Sequence, residues 1–371
     1  MSYVPLAEPA VWEERRSAAF DFAVRHAAES EISWSRDLEV EIPRQFDEDP
    51  PWNAVLGTVR PRGGPNGLIL KGGHIVAEWG NTRQIDQTFS VAKSYLSILA
   101  GLAFDRGLIR DVHEPVCKTP GLDMGDDGGF GPPHNDKITW HHMLQQTSEW
   151  EGTLWDKPDQ VDHNRRVGGM PNTGIRKGTR RDLQEPGTYW EYNDVRINRL
   201  SLALLRLWRR PLPEVFGELV MEPIGASTDW EWRGYRNSTV MVEGKVIESV
   251  AGGSHWGGGV FIHARDQARI GLLMQRRGVW GGKRILSEEW IRRSLVPCPL
   301  FPIYGYLWWL NTERRRYPSA PAGSYYASGA GGNLTWIDPD HDLVAVLRWT
   351  DPAAMDKFMA LAIEATGAAN G

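Results

Sequence analysis

Basic residues are not in surplus. Lys and Arg number 42 against 47 Asp and Glu, a formal net charge of −5, whereas a nucleic-acid-binding chain usually carries a basic excess. Cysteine is scarce. Cys117 and Cys298 are too few for a disulfide framework and match no metal-site spacing. They read as two buried thiols in a reducing compartment, with a single bridge as the alternative. No run of about 18 uncharged apolar residues occurs, so no membrane-spanning helix is expected. The opening MSYVPLAEPAVWEERR lacks the basic and apolar regions of a secretory leader, which points to the cytoplasm. There is no G-x-S-x-G, H-E-x-x-H, P-loop or G-x-G-x-x-G. His141 and His142 are neighbours on a predicted helix, point apart, and are expected to be structural rather than joint ligands. No metal, cofactor or internal repeat is expected, and the sequence leaves the oligomeric state open.

Apolar residues are plentiful. Of 371 residues 41% are hydrophobic and 24% charged, ordinary values for a globular chain with a sizeable core. The unusual count is 18 Trp against 10 Tyr and 10 Phe. Residues 9–30 read as a helix with apolar Trp12, Phe20, Phe22 and Val24. Residues 40–66, rich in Pro and Gly, read as an irregular connection. LILK, a Gly-Gly turn and HIVAEW predict a hairpin over 68–79. An apolar helix is predicted over 90–108, a Gly/Asp-rich loop over 118–136, and helices over 140–146 and 196–208. A Gly-rich segment over 252–259 then leads into a short strand and a helix. NLTWI and LVAVLRW form a second hairpin over 333–349, and an amphipathic helix covers 353–366. The order predicts an α+β fold: an antiparallel sheet flanked by N- and C-terminal helices, with an inserted, mainly helical region. The expected division is 1–89 plus 257–371 for the sheet domain and 90–256 for the helical region.

One motif carries chemistry. Ser90-Val91-Ala92-Lys93 puts a hydroxyl and an amine on one helical face, a turn apart. Ser90 falls at the helix start, where backbone N–H groups and the dipole favour developing negative charge. Apolar neighbours around Lys93 disfavour its charged form, which lets it accept or relay the serine proton. Taken alone, S-x-x-K occurs by chance about once in a chain of this length. Ser90 as a plain N-cap and Lys93 as a solvated first-turn residue is the competing account.

Further segments follow in a fixed order. They are LILKGGHIVAEWG, TFSVAKS, GLIRDVHEPV, ITWHHMLQQTSEW, EPGTYWEYND, GGGVFIHARDQARIGLLM, YGYLWW and ASGAGGNLTWIDP. Over roughly residues 67–350 the chain resembles the serine β-lactamase and penicillin-binding-protein superfamily. Within it, the chain looks most like class C β-lactamase-like esterases and 6-aminohexanoate-dimer hydrolases. The resemblance implies an acyl-enzyme hydrolase of small esters or amides, of carboxylesterase or amidase type. Ser90 would be the nucleophile, and Lys93 and Tyr192 would share the acid–base work, with the first proton acceptor left open. The N–H groups of Ser90 and Ala330 would form the oxyanion hole. Two further readings stay open: a β-lactamase or D-amino-acid peptidase on the same site, and a non-catalytic penicillin-binding-like sensor.

Two positions depart from the family pattern. Asp194 stands where the second motif has Asn, and Ala327-Ser328-Gly329 stands where the third often carries a cation. Both argue against a free-carboxylate substrate. Asp194, Ser328 and Gly329 are expected to line the pocket, with Trp150, Trp155, Trp190, Trp256, Trp308 and Trp309 as apolar walls. Trp79, Trp280, Trp290, Trp336 and Trp349 are expected in the core. The basic run over 176–182 reads as a solvated loop face, or as an attractor for an anionic substrate. Glu149, Glu151 and Asp156 are candidates to receive a cationic group.

Overall fold

In both predicted hairpins the turn chemistry sets the register. Asn66–Lys71 and His74–Trp79 pair antiparallel around Gly72 and Gly73, both at positive φ (61° and 86°), the backbone that a two-residue turn requires. Asn333–Asp338 and Leu343–Arg348 pair likewise. The outer strand of the first hairpin lies at one edge of a six-stranded antiparallel sheet. Its order is Trp309–Leu310, Tyr325–Gly329, Asn333–Asp338, Leu343–Arg348, Asn66–Lys71, His74–Trp79. Strands from the two ends of the chain are therefore central neighbours, with Ile69 opposite Ala345. The computed structural model describes residues 14–46, 48–122, 129–253 and 255–368.

Asn333–Asp338 and Leu343–Arg348 are buried at every position, so both sheet faces are covered. The helix Ala264–Gln275 packs closely, with Gly271 against Thr335 and Val344. The helices Asp21–Glu29 and Met355–Ala368 pack together, and Phe358 of the second meets Trp79. The helix Val91–Asp105 is buried at every residue from Val91 to Ala103, as expected of a largely apolar helix. Gly101 lets it approach Trp290, since an added Cβ would stand 2.3 Å from that ring. Trp79, Trp280, Trp290, Trp336 and Trp349 are all buried. Cys117 and Cys298 are free thiols, the first only half-buried.

Three elements differ from the sequence expectation. Glu231–Val242 and Lys245–Val250 form a long hairpin inside the region expected to be mainly helical. They join Gly259–Ile262 and Asp86–Gln87 in a four-stranded sheet. Leu38–Phe46 is helical despite Pro43. Leu38, Ile42 and Phe46 recur every four residues and pack beside Phe89 and Trp349, and that burial outweighs the hydrogen bond lost at proline. The first helix is shorter than expected, Asp21–Glu29 after a single turn at Ala18–Phe20. Residues 9–13 of that expected helix, and 123–128 of the Gly/Asp-rich loop, lie outside the described residues.

Candidate active site

The backbone delivers Ser90 to the helix start through a strained residue. Phe89 sits in the left-handed region (φ 52°), a conformation costly for a bulky side chain and kept only where packing dictates it. Its fully buried ring is held edge-on by Trp34 and Trp349, with centroids 5.8 and 6.3 Å away. Ser90 then occupies the N-cap position, but its side chain makes no capping bond. Lys93 donates to it instead, Nζ to Oγ 2.8 Å, within the protein interior. Lys93 is 1% exposed, so the account of a capping serine and a solvated lysine does not hold.

Lys93 has two further neighbours. Its Nζ is 2.7 Å from Asp194 Oδ1 and 4.5 Å from the ring centroid of Tyr192. Tyr192 immediately precedes Asn193, which caps the helix Asp194–Trp208 by accepting from the Arg196 N–H. Gln146, at the left-handed end of the capped helix Trp140–Gln145, accepts from the Asn193 N–H and donates to the Tyr304 hydroxyl. These bonds tie the Tyr192 segment to the QQTSEW segment. The Tyr192 ring stacks on Trp309 at 5.7 Å. Among the described residues its hydroxyl makes no hydrogen bond to Ser90 or Lys93.

Ser90 and Tyr192 open on a cavity of about 760 Å³, also lined by Ser328, Gly329 and Ala330. The edge strand presses on the helix start: a Cβ on Gly329 would stand 2.0 Å from Thr88 O and 3.2 Å from Ser90 N. The residues named as oxyanion donors, Ser90 and Ala330, thus border one space.

The apolar walls are not those expected. Of the six tryptophans named for the pocket only Trp309 lines it, joined by Trp34, Ile32, Phe46, Val167 and Met170. The others serve the core. Trp150 donates its N–H to Gly129 O, and Trp155 packs half-buried against the core. Trp190 stacks on Phe301 at 4.0 Å, behind Tyr192, and Trp308 meets Tyr325 edge-on. Trp256 donates to Glu48 at 2.5 Å. Proximity in sequence to a motif did not translate into facing the cavity.

The charges are also arranged differently. Asp194 is fully buried and does not line the cavity. It is paired with Lys93, with Arg165 at 3.2 Å and with His255 Nδ1 at 2.6 Å. Burial raises its carboxyl, but the Arg165 guanidinium above all, joined by Lys93 and His255 in their charged forms, holds it well below the ordinary range. Glu149 is likewise buried, clasped by Arg181 and Arg196 at 2.6 Å each, so it is not free for a substrate cation. Asp156 accepts from Asn237. The basic run is part solvated face and part clamp: Arg176, Thr179 and Arg180 are exposed, while Lys177 and Arg181 reach inward. Arg176 pairs with Asp49, Lys177 with Glu48, and Arg181 with Glu149. The cavity lining carries Arg165, Arg166, Lys177 and Arg316 and no carboxylate among the described residues. Contrary to the sequence expectation, this lining does not disfavour a carboxylate-bearing substrate.

Sequence reasoning missed Asp162, Arg165 and His255, which contact Asp194, and Glu48, which contacts His255; Asp162 and Arg165 are three residues apart, and the others come from distant segments. Glu48, Asp162 and His255 bring one ligand atom each within 4.8 Å of one another. Lys177 Nζ stands at 2.5 Å from Glu48 and 3.3 Å from Asp162, so an ammonium already supplies the positive charge there.

An antiparallel sheet covered by helices, with a serine–lysine pair at the start of a buried helix, defines the β-lactamase/transpeptidase class of fold. The comparisons with known proteins agree. The Beta-lactamase family model matches residues 68–368, and the chain belongs to that family. A 6-aminohexanoate-dimer hydrolase of Paenarthrobacter ureafaciens is 31% identical over 110 residues. The match spans 26% of this chain and 26% of that protein, about a quarter of the relative. Among solved structures, a penicillin-binding protein homologue from Caulobacter crescentus superposes with a TM-score of 0.57 at 14% identity, covering 95% of this chain and 98% of that one. EstCE1, a hydrolase with promiscuous acyltransferase activity, gives 0.57 at 17% identity over 94% and 98%. At these identities the superpositions speak for the fold. No helix among the described residues is long and apolar enough to cross a membrane.

Proposed function

We propose that the protein is a serine hydrolase that cleaves a small ester or amide through an acyl-enzyme on Ser90. The observation that carries this reading is the 2.8 Å contact between Lys93 Nζ and Ser90 Oγ at a helix start that opens on the cavity. Lys93, as the free amine, takes the Ser90 proton while Oγ bonds to the substrate carbonyl carbon, and the carbonyl electron pair moves onto oxygen. The Ser90 and Ala330 N–H groups hold that oxyanion. Collapse expels the alcohol or amine, which takes a proton from the Lys93–Tyr192 pair. Water then attacks the acyl carbon, gives its proton to the same pair, and releases the acid with Ser90 restored. Because Lys93 touches Oγ directly, it is assigned the first proton transfer, and Tyr192 the later ones.

The wall of Trp34, Phe46, Met170 and Trp309 suits an apolar body, and Arg166 and Arg316 suit an anionic end. The second feature keeps β-lactam and peptide carboxylates among the substrates to be tried. A panel of p-nitrophenyl esters, anilides and a chromogenic cephalosporin, each run beside Ser90→Ala, tests the reading. Ester or amide turnover lost in Ser90→Ala is expected. Turnover confined to the cephalosporin would instead favour the lactamase reading, and turnover that survives Ser90→Ala would overturn the mechanism.

A further inference from the structure

A buried chain of charge runs away from the nucleophile, and the acylation scheme above uses only its first link. Ser90 Oγ meets Lys93 Nζ, and Lys93 meets Asp194 Oδ1. Asp194 Oδ2 meets His255 Nδ1 at 2.6 Å, and His255 Nε2 meets Glu48 Oε1 at 2.7 Å. The side chains of Lys93, Asp194, His255 and Glu48 are all at most 3% exposed. A carboxylate only accepts hydrogen bonds. Each ring nitrogen of His255 thus lies within hydrogen-bond distance of a carboxylate oxygen, one from Asp194 and one from Glu48. A ring held between two carboxylate acceptors has a hydrogen-bond acceptor for each nitrogen, the arrangement that suits an imidazolium. It lies stacked on Phe46, with centroids 4.7 Å apart, and against Trp256 at 3.7 Å, faces that favour a cation.

We propose that His255 is a fixed cation that positions Asp194 and takes up its charge, so that Asp194 aims Lys93 at Ser90 without locking it as an ammonium. The inference rests on the reading of Ser90 and Lys93 as the acylating pair. The charges facing the ring come from several segments. The carboxylates are Glu48, Asp162 and Asp194. The cations are Arg165, 3.2 Å from both Asp162 and Asp194 with one guanidinium nitrogen 3.4 Å from Nδ1, and Lys177 on Glu48 and Asp162. Lys157 lies one layer out, its Nζ 4.8 Å from the Trp256 ring. Arg165, Lys177 and the imidazolium together match the three carboxylates. The cluster is then neutral with Lys93 as a free amine, the form that accepts the Ser90 proton. With a neutral residue at 255 the cluster lacks one positive charge, and Lys93 retains its proton to supply it. No proton leaves His255 in the cycle, so it is a positioning residue.

The test is the pH dependence of Ser90 phosphonylation by a fluorophosphonate, followed by intact mass in wild type, His255→Gln and Asp194→Asn. The acid limb of the rate profile should move up by about one pH unit or more in His255→Gln, with the rate recovered at high pH, and should move down in Asp194→Asn. In the wild type, ¹⁵N NMR of the histidine ring should find both nitrogens of His255 protonated at pH 8. That measurement decides the matter should His255→Gln fail to fold. A limb that stays in place while the rate falls at every pH, or a singly protonated ring at pH 8, overturns the proposal and leaves the serine hydrolase intact. Absence of label on Ser90 in the wild type overturns the acylation reading itself, and this inference with it.

Discussion

In the proposed mechanism Lys93 takes the first proton, and its surroundings make that role testable. A buried ion pair usually cannot lose one partner without a penalty of about 3–5 kcal/mol, because the other charge is left bare. Here Asp194 keeps Arg165 and His255 when Lys93 is removed. Lys93→Met is therefore expected to fold, with a cooperative thermal transition and a modest loss of stability. Its rate of Ser90 acylation should fall by at least about a hundredfold, the low end for loss of a general base. Wild-type rates in the folded variant would remove Lys93 from the scheme. At this scale the sequence was informative wherever chemistry is local. Ser90 and Lys93 share one helical turn, and Tyr192 lies in a contiguous motif, so spacing and resemblance name all three as candidates, and the fold places them side by side. Glu48, Arg165 and His255 lie in segments far apart in sequence, and each is bland in its own context. Only the folded chain brings Arg165 and His255 to Asp194, and Glu48 to His255.

Among the elements, the loop carrying the basic run does the most to shape the site. Arg181 reaches from it to Glu149 beside Arg196, while Lys177 reaches to Glu48 and into the cavity lining. Glu149→Ala should cost about 3 kcal/mol or more, since it strips a carboxylate from two guanidinium groups, one of them fully buried. Chemical denaturation of the variant checks this, and an unchanged midpoint would mean that Glu191 and Asp159 suffice to hold Arg196. The elements that sequence reading missed have physical reasons too. In Glu231–Val250 the apolar positions are diluted by Arg, Glu, Asn and Ser, and Met241 and Val246 point outward (58% and 69% exposed), so alternation is blurred. The turn at Glu243 and Gly244, both at positive φ, was the signal available. In Leu38–Phe46 a proline masked a four-residue apolar repeat. The tryptophans erred in the other direction. Several flank motif segments in the chain, but their indoles face the core because a large ring finds its apolar surroundings and N–H partner there.

For the molecule as a whole, the pairing of strands from the two chain ends could be anticipated from strong hairpins separated by helical segments. The acid response follows from the interior. Burial pushes His141 and His142 down to about 4 from an ordinary 6.5. Each is neutral when folded, while the unfolded chain binds their protons below about 6.5, so stability should fall as pH drops from 6.5 toward 4. Glu48, Glu78 and Glu149 are held near 2 by cationic and hydrogen-bonding partners, against an ordinary 4.5. Their contribution is present above 4.5 and is lost as pH falls toward 2. Thermal melts across pH should therefore show two stages of acid loss. His141→Gln combined with His142→Gln should flatten the upper one, because glutamine retains an acceptor for the helix cap that His142 provides to Thr139. An upper stage unchanged in that variant would assign it to other groups.

The central claim is that Ser90 becomes acylated. Intact-mass and peptide analysis of the native protein after fluorophosphonate treatment at neutral pH tests it most directly. The account predicts one stoichiometric adduct on Ser90, absent in Ser90→Ala and absent after unfolding. Folded protein that carries no adduct, or carries it on another residue, would contradict the account.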